Sequence, residues 1–168
     1  MDERKVIKPS ITSKGILPKR VTGLLPWRKW SIKKSEIVYM PFYIFKCEGN
    51  IILAVDALMG IFRLFPENVF KEFQYSKEIK GFDFMISPLE AYKIAEKEIT
   101  IHIPVLKRRG LNIGKIDKDP ERILYPFWVF YLERKEKIKV YLVDAVTGAP
   151  GGPKLLRAFF KAIQRPSS

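Results

Sequence analysis

The sequence is short of the residues that usually assemble catalytic and metal sites. It has one cysteine, Cys47, and one histidine, His102, in 168 residues. A single thiol excludes an intrachain disulfide and suits a reducing compartment. With one histidine, a zinc site would have to be completed by carboxylates and Cys47, and no ligand spacing for that is present. Long apolar runs are also missing. Among the longest uncharged ones, Ile37 to Phe45 contains Pro41 and falls far short of the roughly 20 residues that span a bilayer. The start, Met1-Asp2-Glu3-Arg4-Lys5, is charged and leads into no signal-peptide core. Amides are scarce, with three Asn and two Gln beside abundant Lys, Glu and Ile, an ion-pair-rich composition of the thermophile kind. These absences lead us to expect a soluble, cytoplasmic chain with no membrane span, no metal and no cofactor.

What is present is core-forming material and positive charge. Hydrophobic residues make up 47% and aromatics 13%, which excludes a disordered tail. The net charge is +13. Residues 1–35 carry ten Lys/Arg and two acids, whereas residues 36–168 carry 21 and 16. Such asymmetry points to a polyanionic partner.

The chain also says one thing twice. Pro41-Phe42-Tyr43-Ile44-Phe45 recurs as Pro126-Phe127-Trp128-Val129-Phe130, and Val55-Asp56-Ala57-Leu58-Met59-Gly60 recurs as Val143-Asp144-Ala145-Val146-Thr147-Gly148. Self-similarity of this kind marks a structural unit used twice. The expected fold is α+β: two repeated aromatic antiparallel β-hairpins with three short helices packed on the sheet. A basic extended N-terminal arm, residues 1–35, precedes a domain over 36–168 built from repeats at 36–80 and 87–165.

Pro9, Pro18 and Pro26 with Gly15 and Gly23 argue against helix in the arm, and its first dozen residues are expected to be mobile. Phe42 to Cys47 and Ile51 to Val55 read as strands joined at Gly49-Asn50. Pro66 opens a short predicted helix ending near Tyr75. Ser87, Pro88 and Glu90 form a capping-box signature for a helix over 87–99. Residues 100–120 read as one strand and a long loop. The second hairpin covers 123–149, with a charged connection at Glu133 to Lys137. Lys154 to Ile163 reads as a terminal helix with Leu155, Leu156, Phe159, Phe160 and Ile163 inward. Both faces of Phe127 to Leu132 are apolar, so both should be covered, by helices on one side and by the arm, the other repeat or a homodimer partner on the other.

Asp56 and Asp144 are the obvious paired carboxylates. Each lies at a strand end, four residues before a glycine (Gly60 and Gly148), where an aspartate fixes a turn by accepting backbone amides. That structural reading takes precedence over a catalytic one. His102 has no nucleophile near it in sequence, and Cys47 lies in an apolar strand where a thiol packs as a small hydrophobe. No catalytic residue is assigned, and the chain is not expected to be an enzyme. Gly148 to Lys154 departs from a phosphate loop, with Pro153 where a glycine is required. The basic residues interleaved with aromatics carry more weight. Trp27, Arg28, Lys29 and Trp30 lead to Lys33 and Lys34, while Lys107, Arg108, Arg109 and Lys115 form a second cluster. Together they are a candidate nucleic-acid surface.

Residues 87–148 resemble a PepSY-type unit. The carrying residues are the helix core Glu90-Ala91-Tyr92-Lys93-Ile94-Ala95 and the ending Tyr141-Leu142-Val143-Asp144-Ala145-Val146-Thr147-Gly148. A partial second copy, the hairpin at 37–60, has Met59 where the motif has Thr. The resemblance implies a cystatin-like build, an antiparallel sheet wrapped on a helix, and a non-catalytic binding or inhibitory role. The expected function is recognition of a protein or peptide partner. The alternative is binding of RNA or another nucleic acid, in a ribosome-associated role, through the basic arm and the Lys/Arg clusters.

Overall fold

A computed structural model describes residues 4–13, 30–47, 51–111 and 114–164. The chain is α+β: the described residues form a seven-stranded mixed sheet and include the two α-helices named below. In chain order the strands are β1 (Arg4–Ile7), β2 (Ser31–Lys46), β3 (Ile51–Asp56), β4 (Phe62–Pro66) and β5 (Phe73–Ser76). Helix α1 (Pro88–Arg108) precedes β6 (Glu121–Arg134) and β7 (Lys137–Asp144), and α2 (Gly152–Ile163) closes the series. The strand order is β4-β3-β2-β6-β1-β5, with β7 also paired to β6. By internal packing the chain divides into two units, Met1–Ile7 with Met40–Tyr125 and Lys8–Tyr39 with Pro126–Ser168. The boundaries differ from the expected arm and body, because the long strands β2 and β6 each contribute to both units.

In the first unit, β2 pairs antiparallel with β3 from Phe42↔Asp56 to Lys46↔Ile52, and β3 pairs with β4. Tyr43, Phe45, Leu53 and Val55 bury one face of these strands against Ala91, Ala95 and Ile99 of α1. The two alanines, four residues apart, let the helix backbone come close to the sheet. The helix begins as its sequence dictates. Glu90 N–H donates to Ser87 Oγ at 3.2 Å, and Ser87 N–H donates to Glu90 Oε2 at 3.2 Å. It ends in a Schellman motif: Gly110, at φ +73°, donates to the Lys107 carbonyl, and Leu111 donates to that of Leu106, both at 3.0 Å.

The opposite face of β2 is covered by an aromatic cluster. Tyr125 lies 5.9 Å from Phe42 and 5.3 Å from Phe65, with Phe70 against both Phe65 and Tyr125. Both faces are therefore closed within this unit, which is why these strands do not alternate apolar with polar.

Three expectations for this unit are corrected. Residues 100–108 are helix, not strand and loop: α1 runs through Pro104 because Ile99 before it and Leu106 after it are both buried. The helix expected after Pro66 is a four-residue 3₁₀ turn, Glu67–Phe70, followed by strand β5. The expected mobile start is instead strand β1. It pairs antiparallel with β5 and parallel with β6, and Val6 and Ile7 are buried. Most of the remaining arm, and the Gly49-Asn50 turn, lie outside the described residues.

In the second unit, β6 and β7 form a hairpin from Phe127↔Asp144 to Arg134↔Lys137. The connection is only two residues, Lys135 and Glu136, at φ 44° and 60°. Two successive left-handed residues are the requirement of a type I′ turn, whose backbone twist matches that of the strands. Helix α2 packs on β7 through Leu155, Ala158 and Phe159. Leu156 and Phe160 are half-buried and Ile163 is exposed, so its inward face is narrower than expected. A Cβ at Gly151 would lie 2.9 Å from Leu142 Cβ, so glycine is what admits this approach. Ser10 and Ile11 both donate to the Ala145 carbonyl at 2.9 Å, and Ile11 accepts from Trp128 Nε1 at 2.7 Å.

Candidate functional site

The isolated chemistry-bearing groups are each used locally. His102 lies on α1 with Nδ1 2.7 Å from the Glu98 carbonyl and its ring 5.5 Å from that of Phe62. Cys47 donates to the Ile51 carbonyl, and burial pushes its thiol up. Up is the wrong direction for a reactive thiolate.

Asp56 and Asp144 are buried, each within its own turn. Asp56 Oδ1 accepts from Leu58 and Met59 at 3.0 and 3.1 Å, and its Oδ2 accepts from Ile61. Asp144 Oδ1 accepts from Val146 and Thr147, both at 2.9 Å. The backbones match as well. Gly60 donates to the Asp56 carbonyl and Gly148 to that of Asp144, with the glycines at φ +76° and +73°. Ala57 donates to the Pro41 carbonyl and Ala145 to that of Pro126. Burial pushes the Asp56 carboxyl up, opposed by the three amides and by Arg63.

Charge is divided sharply between the units. Counted by sequence over their ranges, the first carries 15 Lys/Arg against 14 Asp/Glu and the second 16 against 4, so +12 of the +13 falls in the second; among the described residues the second carries 10 against 4. Of its four acids, Asp144 is buried in its turn. Two more hold ion pairs, Glu133 with Lys33 at 3.2 Å and Glu36 with Lys34 at 2.6 Å. Lys34, and then the Tyr131 hydroxyl, hold the Glu36 carboxyl below the ordinary range. Tyr131 is itself pushed up to about 12, by burial and then by Glu36. Lys135, Lys137, Lys139, Lys154, Arg157 and Lys161 are exposed.

Pleating sorts the second hairpin into two faces. Trp128, Phe130, Leu132 and Arg134 on β6 pair with Val143, Tyr141, Lys139 and Lys137 on β7 and share one face with them. Phe130, Leu132 and Val143 are its buried floor, with Trp30, Trp128 and Tyr141 half-buried against them. The result is an aromatic patch at the base of the hairpin and a basic patch at its tip.

The candidate nucleic-acid residues thus separate. Trp30, Lys33 and Lys34 lie in the basic unit; Trp27, Arg28 and Lys29 lie outside the described residues. Lys107, Arg108 and Arg109 lie in the neutral unit at the end of α1, where cations complement the helix dipole. Lys115 lines a shallow depression of about 660 Å³ with Lys46, Cys47 and Lys118.

A further arrangement in the neutral unit has no signature in the sequence. Glu121 on β6 accepts from Lys5 on β1 at 2.6 Å and from Lys46 on β2 at 2.9 Å. Lys5 and then Lys46 hold its carboxyl down, and Glu121 in turn raises Lys46. Beside this triad is a pocket of about 200 Å³ with an apolar floor that includes Ile7, Ile44, Ile52 and Ile123. Phe73, on its rim, and Tyr75 are exposed on β5, 5.9 Å apart, with Lys5 Nζ 3.9 Å over the Phe73 ring. The partners of Glu121 lie 116 and 75 residues away, so only the fold brings them together.

Among the described residues no helix is long and apolar enough to cross a membrane, and no group of His, Cys, Asp and Glu is placed to hold a metal ion. Comparison of the chain with protein-family models, with curated proteins and with solved structures finds no match.

Proposed function

We propose that this is a binding protein whose basic unit, Lys8–Tyr39 with Pro126–Ser168, takes a nucleic acid. The observation that carries this reading is the charge division, 16 cations against 4 acids in one unit and near balance in the other. A dense charge of one sign raises the local concentration of a polyanion and speeds its capture. A solvated surface of the thermophile kind carries both signs interspersed, as the neutral unit does. The same reading takes the two hairpin-and-turn segments as copies of one structural unit, and the basic N-terminal arm as part of the nucleic-acid surface. It is supported by the matching hydrogen bonds around Asp56 and Asp144. The PepSY-type resemblance enters on the same footing, supported by the order helix, strand, strand over 88–144.

The test is binding of RNA and DNA to the purified chain as salt is raised. The expected result is a log–log slope of about −0.7 for each phosphate neutralised on a single strand. Material absorbing at 260 nm should co-purify and leave in a high-salt wash. Absence of binding at low salt, or binding indifferent to salt, would overturn the reading. Binding to anionic vesicles with none to nucleic acid would reassign the unit to a membrane surface.

A second reading, recognition of a protein or peptide, is favoured by the pocket beside Lys5, Glu121 and Lys46. Its apolar floor, charged rim and two exposed aromatics on the short strand β5 suit an apolar side chain of an extended peptide. Selection of a phage-displayed random peptide library should enrich one motif on the wild-type chain and none on Phe73→Asp. Equal enrichment on both would remove this reading.

A further inference from the structure

Resting on the nucleic-acid reading of the basic unit, we infer that the ligand is a single strand whose bases stack on the Trp30–Trp128–Tyr141 face of the second hairpin. On that face cations and aromatics are arranged in series. Arg134, Lys137 and Lys139 lie at the tip, and Tyr141, Trp128 and Trp30 lie toward the base on the same side of the pleat. The four acids of this unit are Glu36, Glu133, Glu136 and Asp144, and none of them occupies a position of this face in β6 or β7. A strand places Lys137 and Lys139 about 7 Å apart, roughly twice the 3.4 Å rise of one stacked strand. One cation then falls to every second nucleotide. The aromatic side chains are fixed in place: Phe130, Leu132 and Val143 support them, and the Trp128 indole is anchored by the Ile11 carbonyl. Base–aromatic stacking needs an unpaired base, because a duplex keeps its π-faces inside the stack. A duplex would instead use the cations alone, or admit the hairpin as a β-ribbon in its major groove.

The experiment uses the full chain with a labelled single strand of about 12 nucleotides, within the range that one small binding fold covers, and with the corresponding duplex. The single strand should bind more tightly and quench the intrinsic tryptophan fluorescence. Tyr141→Leu keeps apolar bulk over Phe130 while removing the ring, and should weaken the single strand about tenfold with duplex affinity unchanged. Lys137→Glu with Lys139→Glu should weaken both. Equal binding of both forms, no quenching and no effect of Tyr141→Leu would overturn the stacking inference and leave the basic unit a nucleic-acid binder. Tighter duplex binding would replace it with groove insertion. No binding of either form would overturn both readings together.

Discussion

The two units solve one folding problem with different surfaces. Each carries an antiparallel hairpin, an aspartate turn closed by a left-handed glycine, and a helix. The neutral unit has a long capped helix, closes one face of its strands with that helix and the other with aromatics, and balances its charges. The basic unit has a shorter helix, leaves Trp30, Trp128 and Tyr141 half-exposed, and carries +12. Stability does not require that excess, since self-repulsion works against a folded state. The difference therefore points to what the surface meets and not to what the core needs.

Charge reversal tests that comparison most severely. Lys137→Glu with Lys139→Glu should lower nucleic-acid affinity by more than tenfold and reduce the salt slope by about 2. Lys93→Glu with Lys97→Glu, the same change on the exposed side of α1, should leave affinity within about twofold. Equal losses in the two variants would mean that binding follows total charge, and the division between units would lose its meaning.

The aspartate turns come next. Asp56→Ala strands three buried or half-buried amides and should cost about 3 kcal/mol or more in urea unfolding. Asp144→Ala strands the Val146 and Thr147 amides and should also lower the urea midpoint. The comparison has a pH arm, because Asp56 and Glu36 shift in opposite directions. Asp56 in the neutral unit is pushed up by burial, so its contribution is complete below its unfolded value and is lost as pH rises through the folded one. Glu36 in the basic unit is held down by Lys34, so its contribution is present above its unfolded value and is lost as pH falls through the folded one. In urea midpoints against pH, Asp56→Asn should flatten a decline that begins from about pH 4 upward. Glu36→Gln should flatten the acid-side loss instead. Parallel profiles for both variants would contradict the assigned causes.

Helix α1 shows where sequence reasoning reached and where it stopped. Ser87, Pro88 and Glu90 are legible because capping is a contact between neighbours in sequence. The strands β2, β3, β6 and β7 are legible for a similar reason, since β-branched and aromatic runs between turn residues carry a local signal. The second half of α1 is not legible. Thr100, Ile101 and Ile103 favour strand, Pro104 removes a helix hydrogen bond, and the residues that overrule them pack against a hairpin about 50 residues earlier. The charge division was hidden in the same way. Residues 1–35 show the excess, but only strand pairing unites 8–39 with 126–168. Pro104→Ala tests the override directly. The site is exposed, so the change should restore one backbone bond without disturbing the core and stabilise the chain by about 2–3 kcal/mol. A loss of stability would mean that the proline shapes the packing of Leu106.

The smallest effect separates scaffold from surface at one place. Lys135 and Glu136 hold left-handed backbone that L side chains resist by about 1 kcal/mol each. Asn-Gly at these positions suits a type I′ turn, so the double replacement should raise the unfolding free energy by about 1 kcal/mol. It removes one positive and one negative charge, which leaves the net charge of the basic unit unchanged. Arg134, Lys137 and Lys139 keep their register because the turn keeps its length. Nucleic-acid affinity should then hold while stability rises. Should affinity fall with stability raised, Lys135 itself touches the ligand, and the contact surface extends past the strand ends onto the turn. A drop in stability would show that the native pair contributes more through its side chains than its backbone costs.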